Sequence, residues 1–126
     1  MGLGPEDKLP EGITLAKAYR AIRTWYQTHT DLIRGSTEEY RARSKKLIDA
    51  LPPANKLDEL ELRAVLLEVI MGLLEWGYHD SDGAYKMGAY AHAALDAAEL
   101  GYRLSEQERR QLSTSVLAPF LSLTKL

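Results

Sequence analysis

A chain of 126 residues with 45% hydrophobic and 27% charged side chains and a formal net charge of −2 is sized for one domain and too apolar to stay disordered. It has no cysteine, which excludes disulfides, thiolate zinc sites and cysteine nucleophiles. No window approaches the roughly eighteen uninterrupted apolar residues of a membrane-spanning helix.

The first residues, MGLGPEDKLPEG, are rich in Gly and Pro and lack the basic start and apolar run of a secretory signal. Residues 1–13 are expected to be a disordered or extended leader, residues 14–126 a single helical domain, and the protein cytoplasmic. One Asn and three Gln against abundant Leu, Ala, Arg and Glu is a thermophile-like composition, equally compatible with a GC-rich genome.

From Leu15 the apolar residues follow the three-and-four spacing of one helix face: Leu15, Ala18, Tyr19, Ile22, Trp25, Tyr26, then His29, Leu32 and Ile33. Thr14 is the expected N-cap and Gly35 the stop. Ser36 and Glu39 have the spacing of a capping box for a second helix, which turns Tyr40, Leu47, Ile48 and Leu51 inward and stops at Pro52-Pro53. Asn55 is the expected cap of a third helix, KLDELELRAVLLEVIMGLLEW, apolar almost all round and therefore read as the central one. Its Glu61, Glu68 and Glu75 recur every seven residues and read as a solvated stripe.

A fourth helix, GAYKMGAYAHAALDAAEL, is crowded with Gly83, Ala84, Gly88, Ala91, Ala94 and Ala98 and has Gly101 as its expected stop. Small side chains imply close packing across the third helix, or else a ligand cavity. Ser105 and Glu108 form a capping box for a fifth helix carrying Leu112, Val116 and Leu117, as far as Pro119. No stretch alternates in the manner of a strand. The expected fold is all-α, a bundle of about five helices.

The stretch EWGYHDSDGAY, residues 75–85, gathers His79, Asp80 and Asp82 beside a glycine. Gly77 suits a helix stop, and Asp80, Ser81 and Asp82 are residue types that cap the next helix, so a joint between helices explains them without a substrate. A calcium loop with Gly83 at its sixth position would have Tyr78 as first ligand and Ala89 in place of the closing Glu, and fails at both. The His79-Asp80 doublet resembles that of the HD-domain phosphohydrolases, all-α metal enzymes; the resemblance implies a divalent cation held also by an upstream His and a downstream Asp, here His29 and Asp96. Asp96 follows after a shorter insertion than that family has.

Arg23 and His29 resemble the Arg…His pair of HEPN ribonucleases, although six residues of helix turn them about 240° apart. Asp58-x-x-Glu61 with Asp96-x-x-Glu99 resembles the paired acidic motifs of the MazG-type nucleotide pyrophosphohydrolases, whose order is Glu-x-x-Glu with Glu-x-x-Asp. His92 and Asp96 stand four apart on one side of the fourth helix, a spacing that holds an imidazole in one tautomer. No Gly-rich phosphate loop, His-Glu-x-x-His or Gly-x-Ser-x-Gly occurs.

Charge is segregated along the chain. Residues 14–51 carry eight basic and four acidic side chains, residues 54–99 three basic and nine acidic. Arg41, Arg43, Lys45 and Lys46 surround the second helix and do not form one stripe, a pattern that solubility alone explains and that suits weak nucleic-acid binding less than association with another protein or a second copy. After Pro119 the tail carries Phe120, Leu121, Leu123 and Leu126, which either close the bundle or dock on a partner.

Caps and packing account for nearly every polar residue, so the expected function is a small non-catalytic protein-protein interaction module of prokaryotic or phage type, a regulator or assembly subunit that can be a homodimer. Its expected partner-binding residues are Arg41, Arg43, Lys45, Lys46, Phe120, Leu121 and Leu123. No cofactor and no metal are expected. The alternatives are a metal-dependent HD-like or nucleotide phosphohydrolase and a weak nucleic-acid binder using the basic first hairpin.

Overall fold

The computed structural model describes residues 11–28, 38–71 and 82–121. Among these residues every regular element is a helix: α1 Leu15–Thr28, α2 Glu38–Asp49, a 3₁₀ turn Ala54–Lys56, α3 Glu59–Met71, α4 Asp82–Ala97, α5 Glu106–Leu112 and α6 Ala118–Leu121. The all-α expectation holds, with six α-helices in place of about five.

α1, α3 and α4 pack on one another to form the core, α2 leans on α1 and α6, and α5 and α6 close over α3. The amphipathic spacing of α1 is why it folds this way: Ala18, Tyr19, Ile22 and Tyr26 are buried on one face, and the Thr14 hydroxyl accepts from Lys17 N at 3.2 Å as the expected N-cap. α3 is buried on nearly every side, with Ala64, Val65, Leu66, Leu67 and Val69 in the core. It touches α1, α4, α5 and α6, so its central position also holds. From α4, Met87, Ala91, Ala94 and Leu95 complete the core. The small side chains of Ala91 and Ala94 let α4 sit against α1 as well as α3.

Four boundaries differ from expectation. Asn55 lies in the 3₁₀ turn, and Asp58 caps α3 instead: Asp58 Oδ1 accepts from Glu61 N at 2.8 Å while Glu61 Oε1 accepts from Asp58 N at 3.0 Å. That reciprocal pair satisfies two N–H groups at once, which a lone Asn cannot do. α4 stops before Gly101, because Glu99 takes φ 56 and Leu100 N and Glu99 N donate to Leu95 O and Asp96 O, both at 3.0 Å. This is the Schellman closure with a glutamate where glycine is usual.

The fifth helix breaks after Leu112. Ser113 Oγ donates to Arg110 O at 2.6 Å and Thr114 Oγ1 to Gln111 O at 3.0 Å, the backbone competition that makes hydroxyl residues poor helix interiors. Val116, expected within the fifth helix, is 68% exposed in the resulting turn. Pro119 does not end a helix but sits in the first turn of α6, where its missing N–H is harmless. The Ser36–Glu39 box, Gly35 and Gly77 involve positions outside the described residues.

Candidate functional site

The residues that resemble catalytic motifs are engaged in holding helices together. Asp58 and Glu61 are the cap of α3 just described. Glu61 is partly buried, and its Oε2 accepts from the Ser115 hydroxyl ahead of α6, so it is a cross-tie and not part of a solvated stripe. Asp96 accepts from the Tyr102 hydroxyl, and the Tyr102 ring lies on His92 with centroids 5.3 Å apart. Asp96 and His92 are thus brought together through Tyr102, an arrangement the His92–Asp96 spacing does not disclose. The bond to Asp96 raises the Tyr102 phenol above its ordinary value of 10.0. All three side chains are exposed.

Arg23 donates Nε to Leu51 O at 3.1 Å, and the Tyr19 hydroxyl donates to Pro52 O at 2.5 Å. Both tie α1 to the segment after α2. Burial pushes the Tyr19 phenol up to about 12, against the lowering effect of the Arg23 charge. His29, His79 and Asp80, the other groups of the HD-like and HEPN-like resemblances, lie outside the described residues. Among the described residues no group of three or more His, Asp or Glu could hold a metal ion.

Arg63 has no counterpart in the sequence reading. Its side chain is 12% exposed, yet it reaches from α3 to Glu108 Oε2 at 2.9 Å, to Gly101 O at 3.3 Å and to Arg103 O at 2.5 Å. Glu108 meanwhile accepts from Ser105 N at 2.8 Å and its own N–H donates to Ser105 Oγ at 3.1 Å, the expected capping box of α5. The Ser105 N–H holds the Glu108 carboxyl below its ordinary 4.5; its partial burial opposes this, and the Arg63 charge reinforces it. One guanidinium therefore fixes the α4–α5 connection and the start of α5 on α3.

Beside these ties, part of the described surface is open to solvent. An apolar cleft of about 370 Å³ opens where the starts of α1 and α3 meet the end of α4, walled by Ile13, Leu15, Leu62, Ala94 and Ala97, with Glu59 beside it. The small residues of α4 thus contribute both to close packing and to a cavity, the two readings left open from the sequence. Tyr85 and Tyr102 are 47% and 43% exposed. Gly88, on the same helix as Tyr85, has open space where a Cβ would stand.

Of the expected partner-binding residues, Arg43, Lys45 and Lys46 are exposed on α2. Lys45 pairs with Asp49 at 3.3 Å. Arg41 lies in α2, but its side chain and the whole of Leu123 are outside what the structure describes. Phe120 and Leu121 are 4% and 0% exposed in the core, so in this conformation both close the chain's own bundle. No helix among the described residues is long and apolar enough to cross a membrane. Searches for relatives find no matching family model, no matching curated protein and no matching solved structure.

Proposed function

We propose that the chain is a small non-catalytic interaction module, a regulator or assembly subunit whose surface docks another polypeptide. The observation that supports this most is the division of labour among side chains. Asp58, Glu61, Arg63, Asp96 and Glu108 are each engaged in a cap or a tie between segments, while an apolar cleft is left open to solvent. Groups tied to backbone N–H donors or to a buried guanidinium are poorly placed to exchange protons with a substrate. Apolar surface left uncovered, by contrast, gains free energy when a partner covers it, against the entropic costs of association.

The test is genetic complementation with Ala97→Arg. Ala97 is exposed at the cleft wall, so a long charged side chain there obstructs the cleft without entering the core. In its native host, a phenotype caused by deleting the chain should be restored by the wild type and not by Ala97→Arg at equal abundance. Full restoration by the variant contradicts the reading.

A further inference from the structure

We infer that the cleft beside Glu59 receives the lysine-bearing face of α2 from a second copy of this chain, an assignment that rests on the interaction reading above. The two faces differ in charge and agree in texture. At the cleft, Glu59 stands at the lining and Glu99 directly follows Ala98, itself part of the wall. Both carboxylates are exposed. On α2 and the residue that follows it, Ala42, Lys45, Lys46, Asp49 and Ala50 line one shallow depression, all exposed; Asp49 pairs with Lys45 at 3.3 Å, so the face carries one positive charge in excess. Alanines on both sides permit close approach of a helix to the cleft wall, which sets Lys46, and Lys45 with its partner Asp49, opposite Glu59 and Glu99.

The faces cannot meet within one chain. The cleft lies at the Thr14 end of α1, whereas the segment leaving α2 is bonded at the level of Tyr19 and Arg23, about 7–13 Å further along the helix axis. Each contact joins the α2 of one copy to the cleft of another, either reciprocally about a two-fold axis or from one copy to the next, and association is concentration-dependent. Opposite charge on the lysine-bearing face and beside the cleft makes the association salt-sensitive.

Sedimentation velocity on the full chain tests this, with a charge swap as the decisive arm. At about 20 mM salt, where the screening length exceeds 20 Å, the wild type should show at least twice the 14.1 kDa monomer mass, rising with concentration. In about 0.5 M salt it should return to the monomer. The double variant Glu59→Lys/Glu99→Lys and the double variant Lys45→Glu/Lys46→Glu should each be monomeric at low salt with helical content retained, since all four positions are exposed. Mixed in equal amounts they should associate again, because each cleft then faces an α2 of opposite sign. A wild type that stays at 14.1 kDa overturns the second-copy assignment and leaves the interaction reading to its own complementation test. Association that survives in either double variant alone, or that fails to return on mixing, overturns it too.

Discussion

Arg63 Nη1 and Glu108 Oε2 lie 2.9 Å apart, joining the central helix α3 to the first turn of α5. The guanidinium is nearly buried and the carboxylate about one-third exposed, so the pair is worth more than a surface ion pair but is partly screened by water. Replacing Arg63 by Met keeps the apolar stem and removes the bonds to Glu108, Gly101 O and Arg103 O. Urea denaturation should show a loss of about 2–3 kcal/mol, the range for hydrogen bonds to a charged group after discounting for exposure. Arg63→Lys should recover only part of this, because an ammonium cannot reproduce the fork. An unchanged midpoint for Arg63→Met would remove the clamp from the description.

The same carboxylate sets an acid limb of stability. The Glu108 value in the folded chain is depressed below the ordinary 4.5, so its contribution is fully present above that pH and is lost as pH falls through the folded value. Glu108→Gln should therefore flatten the acid side of the stability profile and lower the plateau near neutrality. Denaturation midpoints measured across the acid range check the sign, and a variant profile parallel to the wild type contradicts it.

Tyr19 titrates in the opposite sense. Its phenol is raised to about 12, so the stability it contributes is intact below 10.0 and is lost as pH rises from there through the folded value. In an ultraviolet titration of tyrosinate, Tyr19→Phe should remove a group that ionises well above the ordinary phenol range. The same variant leaves Pro52 O without its donor and should cost about 1–2 kcal/mol.

Glu99 occupies the left-handed region at φ 56, a conformation that penalises a residue with a Cβ. Glu99→Gly should raise stability by about 0.5–1 kcal/mol, relief of strain outweighing the extra flexibility of the unfolded chain. A calorimetric melt reads this directly. A lower melting temperature would mean that the glutamate side chain makes a stabilising contact of its own.

Phe120 and Leu121 lie in the core. Phe120→Ala should cost about 3–5 kcal/mol, as for a large-to-small change in a packed interior. A partner-docking role alone would leave the stability of the isolated chain unchanged.

Legibility in the sequence follows the range of the forces involved. α1 was readable because burial of one face writes itself into three-and-four spacing and Thr14 caps locally. The central place of α3 was readable because few polar residues interrupt Leu60 to Ile70. Arg63 was not: its partners lie 38 to 45 residues away, and an arginine in a helix carries no local mark of where its side chain will go. Asn55 and Asp58 both suit a cap, and only the reciprocal bond with Glu61 separates them. Gly101 concealed Glu99, since a glycine nearby is the usual stop and an anionic side chain at φ 56 runs against that preference. The cleft was foreshadowed by the alanines of α4 but not located, because its other walls come from the starts of α1 and α3.

The most direct measurement of the docking surface is site-specific photo-crosslinking in the native cell, with the reactive residue placed at Ala97 in the cleft wall and, as control, at Gln107, exposed on α5. The expected result is a discrete polypeptide adduct from Ala97 that is absent from Gln107 and fades when Glu59→Lys is introduced. Equal labelling from the two positions, or no polypeptide adduct from Ala97, would contradict a docking role for the cleft.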